Sequence, residues 1–350
     1  MTAHLRIAIF CPYDNHGDSH HAAIQAETDL VLKAEALGFD EAWISEHHFD
    51  AGSSSPSIFA LLGFLAARTT RIRLGTAAVL LPFRPPIEVA EDIATIDILS
   101  GGRLDFGIAR GGPFPEQNRN FGVSSDEARP RMLEALHLIQ RLLAEEEVSH
   151  RGCYYHIDRL RLTPRPLQRP IPTWIASASE AALDDAATHG HGLMAGLTST
   201  LDDIKRMLRS YRERNTGADA RLVVSRFYCS APTREAAIAE AAPFLQQFFD
   251  RRRQVSAGPH ALVSPTSIEG FLARSLIGSH DEVRSKLAEL ANAGPRSVLL
   301  LPTASTPAGA VTCLQRSGRT SWPAGPAHRH RAGPGTTSAA TQRSARRQPW

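Results

Sequence analysis

Between residues 5 and 302 the chain repeats one pattern eight times: a short aliphatic or β-branched run, usually followed by an amphipathic stretch. The runs are LRIAIFC (5–11), EAWIS (41–45), RIRLGTAAVL (71–80), RLDFGIA (103–109), IPTWIA (171–176), GLMAG (192–196), ARLVVSRFYCS (220–230) and RSVLLLP (296–302). Seven of them lead into a helical pattern, which predicts a parallel sheet covered by helices. The helix over 20–37 places Ala22, Ile24, Leu30, Leu32 and Leu37 among its apolar positions and stops at Gly38, a residue that readily closes a helix. Eight such units are the number in an α/β (β/α)8 TIM barrel with insertions, which occupies about 250 residues or more. A doubly wound open sheet is the alternative, but no strand is followed by the G-x-G-x-x-G turn of a dinucleotide fold.

Charge separates the barrel region from the rest. Residues 303–350 hold seven arginines and no acidic residue, so the preceding 302 residues carry 32 basic and 36 acidic groups, a net of −4. The body therefore lacks the basic surface of a nucleic-acid binder. No apolar run reaches the roughly 18–20 residues of a membrane span, and the first residues lack the pattern of a signal peptide. Cys11, Cys153, Cys229 and Cys313 are scattered with no CxxC pair. These features predict a cytoplasmic protein with free thiols and no membrane association.

In a barrel of this kind the chemistry sits at the C-terminal ends of the strands. The second run ends in Glu46-His47-His48. Neighbouring residues of an extended chain face opposite ways, so one histidine points inward, where it can exchange a proton near neutral pH, and the other points to the wall. A histidine bonded to a loop carbonyl is the plainer reading. Metal binding by His16, His20, His21, His47 and His48 is not expected, because later strand ends (Ala109, Ala176, Gly196) add no ligands.

The third strand ends in GTAAVLLP (75–82), small residues that let a flat ring approach the backbone. Arg110 follows the fourth strand between glycines, and its donor fork suits a phosphate, although an arginine there is often only a surface ion-pair partner. The fifth strand ends IASASEAA (175–182), where Ser177 or Ser179 and free N–H groups at a helix start form an anion site. Together these ends describe a planar, phosphate-bearing cofactor lying across strands three to five.

The blocks GFDEAWISEHHF (38–49), LGTAAVLLP (74–82), PIEVAEDIATIDILSGGRLDFGIARG (86–111) and WIASASEAALDDAATHG (174–190) resemble the bacterial luciferase-like family of flavin-dependent monooxygenases. The resemblance implies a barrel that uses reduced FMN from a separate flavin reductase, with O2, to oxidise an aldehyde or another small organic substrate. It implies that His47 is catalytic. It also implies that Ala77 and Ala78, joined by a non-proline cis peptide, lie at the flavin ring, and that Arg110 and Ser179 contact the phosphate. Ala109 stands where the luciferases themselves carry cysteine, and Ala178 and Ala182 stand where they carry acidic and threonine contacts. A homodimer is expected. The same family includes deazaflavin-dependent oxidoreductases, and a non-catalytic flavin-binding protein is a further alternative.

After RSVLLLP the eighth helix should follow. Residues 303–350 are instead rich in Pro, Gly, Ser, Thr, Ala and Arg, so the reading here is a barrel over 1–302 and a disordered basic tail over 303–350. With three lysines against 36 arginines in the chain, a frameshift near 303–310 in GC-rich coding would account for such a tail; a native basic extension that binds an acidic partner is the alternative.

Overall fold

The computed structural model describes residues 5–15, 17, 19–112, 114–215, 220–255, 268–304 and 306–316. Eight parallel strands close on themselves: β1 (Arg6–Cys11), β2 (Glu41–Ile44), β3 (Arg73–Thr76), β4 (Leu104–Ala109), β5 (Thr173–Ile175), β6 (Gly192–Ala195), β7 (Leu222–Ala231) and β8 (Ser297–Pro302). β8 pairs with both β1 and β7, and β7 with β6, so the ring has no free edge. Two short strands add to it, Val79–Leu80 on β4 and Leu276–Ser279 on β7.

The main helices outside are α1 (His20–Leu37), α2 (Ile58–Arg68), α3 (Pro86–Leu99), α4 (Ser125–Ala144), α5 (Glu180–His189), α6 (Leu201–Arg214), α7 (Arg234–Val255), α8 (His280–Ala293) and α9 (Pro307–Arg316), with short helices at Pro115–Phe121 and Ile268–Arg274 in the connections. Local sequence sets many of their ends. Ser124 with Glu127, Thr200 with Asp203 and Ser279 with Glu282 form capping boxes that start α4, α6 and α8. Gly38 closes α1 at φ +92°, a conformation that favours glycine.

The N-terminal end of the barrel is shut. Trp43 and Trp174 meet edge to face inside it, with centroids 5.8 Å apart. Each indole occupies space that a side chain would otherwise take: a Cβ on Gly75 would come within 2.3 Å of Trp43, and one on Gly192 within 2.0 Å of Trp174. Trp43 Nε1 donates to Glu41 (2.9 Å) and Trp174 Nε1 to Asp105 (3.0 Å). Arg6 and Arg296 pair with Glu41, and Arg73 and Arg296 with Asp105. These carboxylates are buried but fully partnered, as buried charge requires. All five charged residues lie at strand starts, which leaves the opposite end for a site.

Three features differ from expectation. The strand expected over 71–80 is interrupted: the β3–β4 ladder ends at Gly75↔Asp105 and resumes at Val79↔Ile108. In the gap the Thr76 hydroxyl takes over both backbone groups of Gly107, accepting from its N–H (2.7 Å) and donating to its carbonyl (2.6 Å). An antiparallel hairpin, Val148–Arg151 with His156–Leu160, occupies the connection after α4. The segment from residue 303 is not irregular throughout. Pro307–Arg316 forms α9 and packs on α1, β7 and β8 in the place of the eighth helix, with Cys313 and Leu314 buried. Ala310, Val311 and Leu314 supply the helical spacing, and a composition rich in small residues concealed it. The expectations for 317–350 lie outside the described residues.

Candidate functional site

Every residue expected at the site lies at the C-terminal end of one of four consecutive strands. Glu46, His47 and His48 follow β2, Ala77 and Ala78 follow β3, Ala109 ends β4 with Arg110 next, and Ser177 and Ser179 follow β5.

Glu46 explains the double histidine. Its carboxylate is buried and accepts from His48 Nε2 at 2.7 Å, from Arg84 Nε at 3.0 Å and from the Leu80 N–H at 3.3 Å. His48 is thus tied to the wall, and it packs edge to face on Phe121 with centroids 4.9 Å apart. With Glu46 and His48 on one side of the chain, alternation leaves the half-buried His47 on the other. Phe83 stacks on Phe121, and Phe49, 56% exposed, lies against it, so an aromatic rim borders the histidines.

The Ala77–Ala78 peptide is cis, as the resemblance implied. The Ala77 N–H donates to the Ile44 carbonyl at 2.6 Å, which ties this turn to β2. Close passage of β3 and β4 requires glycine at 107, where a Cβ would come within 2.0 Å of the Thr76 carbonyl oxygen. The missing Cβ at Gly107 is taken up by this close passage of one strand past the next.

The fifth strand end carries the anion chemistry. Ser179 is the N-cap of α5, and its hydroxyl lies 3.1 Å from that of Ser177. Arg129, on the first turns of α4, reaches both: its Nη1 donates to Ser177 Oγ at 3.3 Å and to Ser179 Oγ. Burial and the neighbouring Arg110 guanidinium together pull Arg129 below its usual pKa. Arg110 has no side-chain hydrogen bond or ion pair among the described residues, and neither arginine pairs with a carboxylate there. Arg129, beside Arg110, therefore meets two hydroxyls at a helix N-terminus with no carboxylate bonded to either arginine among the described residues, an arrangement suited to a phosphate.

Sequence reasoning missed Arg129 and the organising role of Glu46. No local signal marks Arg129, which sits past the first turn of a helix whose start already carries Asp126 and Glu127.

The fold is a closed (β/α)8 barrel, and the candidate site residues gather at the C-terminal ends of its strands. The sequence profile of the luciferase-like monooxygenases matches residues 5–297, and the chain belongs to that family. Over 164 residues it is 34% identical to the oxygenase component of the flavin-dependent trigonelline monooxygenase of Acinetobacter baylyi (46% of this chain, 45% of the relative). Over 173 residues it is 33% identical to the F420-dependent glucose-6-phosphate dehydrogenase of Kineococcus radiotolerans (47% and 50%). The matches span between about half and two thirds of the length of the first curated relatives. Among solved structures, monooxygenase RslO1 of Streptomyces bottropensis superposes with a TM-score of 0.81 at 25% identity, over 89% of this chain and 97% of that one. Among the described residues no helix is long and apolar enough to cross a membrane.

Proposed function

We propose that the protein is the oxygenase of a two-component system: it takes reduced FMN from a separate flavin reductase and, with O2, oxidises a small organic substrate. The observation that carries this reading is the cradle in which Arg129, beside Arg110, meets the Ser177 and Ser179 hydroxyls at the start of α5. The residues present fit FMN. Arg110 and Arg129 neutralise its phosphate, the Ser177 and Ser179 hydroxyls and the start of α5 orient it, and the small strand ends at 77, 78 and 109 admit the ring. Bound reduced flavin supplies the electrons and the reaction with O2. His47 would hold or deliver a proton during turnover, and the Glu46–His48–Arg84 network keeps its backbone in place. The aromatic rim of Phe49, Phe83 and Phe121 excludes water and favours an apolar substrate.

A deazaflavin would fit the same phosphate cradle, and the similarity to an F420-dependent dehydrogenase favours keeping this as the second reading. Anaerobic titration with reduced FMN and with reduced deazaflavin separates the two. Tighter binding of FMN, followed by oxygen consumption when air is admitted, is the expected result. Preference for the deazaflavin, with no oxygen uptake, would overturn the proposal. Binding of FMN with no oxygen uptake under any substrate would point to a flavin carrier. We further expect a homodimer in the cytoplasm, which sedimentation and cell fractionation would check.

A further inference from the structure

Below the cradle, the seam between α4 and α5 holds a second group of polar side chains. His137 on α4 donates from Nε2 to Asp185 Oδ1 on α5 at 2.6 Å, in the arrangement of the structure. Asp185 and His189 are four residues apart and so share one face of α5. His189 Nδ1 lies 3.4 Å from Asp185 Oδ1 and 3.1 Å from the Asp185 carbonyl oxygen, which holds the ring over the carboxylate. His137, Asp185 and His189 each offer one ligand atom, and these atoms all lie within 4.8 Å of one another. Asp185 is only 8% exposed, and its second oxygen, Oδ2, is buried without a hydrogen-bond partner. A buried carboxylate oxygen with no donor is costly unless something else satisfies it, and a cation held by both oxygens of Asp185 would do so.

The geometry points to a divalent transition-metal site, of the zinc class, formed by His137, Asp185 and His189 across the seam between α4 and α5. Zinc binds imidazole nitrogen and carboxylate oxygen at about 2.0–2.2 Å and takes four ligands, so its ligand atoms stand about 3.3 Å apart. The His189–Asp185 separation, 3.4 Å, is already close to that value, and His189 Nδ1 gives up its proton and its bond to the Asp185 carbonyl in taking the metal. His137 has to withdraw from Asp185 by less than about 1 Å as its hydrogen bond gives way to the metal, and the two imidazoles, whose ligand atoms lie within 4.8 Å, have to close by up to about 1.5 Å; the His137 side chain, 41% exposed, has room to move. The same exposure gives a metal access and leaves water for the fourth position. Two imidazoles and one carboxylate suit zinc, nickel or copper better than calcium or magnesium, which prefer oxygen-only shells. The site is a helix-to-helix staple. His137 lies eight residues, about 12 Å, along α4 from Arg129, so metal binding stands independently of the flavin reading.

The full-length protein, stripped with EDTA, is titrated with Co2+ and with Zn2+ by calorimetry, by visible absorbance for Co2+ and by thermal melting. The expected result is one site whose affinity falls at least about tenfold in His137→Ala and again in His189→Ala, with Zn2+ raising the Tm of the parent but of neither variant. Both substituted side chains are about two fifths exposed, so the variants should fold, and the melting curve without metal verifies it. Every variant keeps the remaining histidines, including His328 and His330, so metal held by those cancels in the comparison. Equal affinity and stoichiometry in the parent and both variants would overturn the site. So would a Tm that responds to Zn2+ equally in all three, or in none.

Discussion

Arg129 crosses from α4 to the N-cap of α5 and donates to the Ser179 hydroxyl, although the two residues are 50 positions apart in sequence. Ser179 thereby belongs at once to a helix cap and to a two-arginine cradle, the second arginine being Arg110. A phosphate placed there would separate two like charges that the fold has brought together. Charge-assisted bonds of this kind contribute about 1.5–3 kcal/mol each. Arg110→Ala and Arg129→Ala should each weaken reduced FMN about ten- to a hundredfold while leaving reduced riboflavin, which has no phosphate, little changed. Parallel titrations of both ligands check this, and equal losses for the two would remove the cradle from the phosphate.

The two histidines after β2 should separate by function. His47→Ala should fold and bind flavin, yet lose turnover by about a hundredfold or more, the scale of a general acid–base group. Glu46→Ala strips Arg84 and His48 of a buried partner and should cost about 3–5 kcal/mol of stability, visible as a lower denaturation midpoint. Undiminished turnover in the His47 variant would end its catalytic assignment.

A pH effect is expected from Glu27 on α1. Burial, and next the charge of Asp14, raise its carboxyl from 4.5 to about 8, against the small opposing effect of a hydrogen bond with Cys11. The folded protein therefore holds a proton that the unfolded chain releases at lower pH. The stability tied to that proton is fully present below pH 4.5 and is lost as pH rises through about 8, with a slope of at most about 1.4 kcal/mol per pH unit. Glu27→Gln removes the effect. Melting curves of parent and variant between pH 5 and 9 should diverge, with the variant increasingly the more stable towards pH 9. A constant gap would show that Glu27 ionises normally.

α9 has a consequence for truncation. Ending the chain after Pro302 removes the buried Cys313 and Leu314 and uncovers part of α1, whereas ending it after Arg316 retains them. Burial of one leucine is worth about 1.5–3 kcal/mol, so the shorter chain should be less stable than the longer by about 3 kcal/mol in urea. Coincident unfolding curves would mean that α9 contributes nothing to the barrel.

Legibility in the sequence followed the range of the interaction. α1 occupies the expected residues 20–37, and β8 begins one residue inside its expected span, because apolar periodicity and helix caps are written within a few residues. The strand ends bearing His47, Ala77, Arg110 and Ser179 were found the same way, once eight units implied a barrel with one reactive face. The hairpin at 148–160 was missed because its partly exposed strands carry little hydrophobic alternation. α9 was missed because one turn of apolar spacing is lost among Pro, Gly and Thr. Arg129 reads in sequence as one more solvent-facing arginine on a charged helix.

By itself the sequence determined the eightfold alternation, the capping residues that begin and end many of the helices, and the small residues where chain must pass chain. It did so because turn geometry and side-chain periodicity depend on neighbours a few positions away. Only the tertiary structure decided which face each outer helix turns to the next. Closure of the ring fixes how far α4 and α5 rotate about their axes, and that rotation places Arg129 against Ser179 and His137 against Asp185. Both meetings join residues nearly 50 positions apart, and no local rule encodes them.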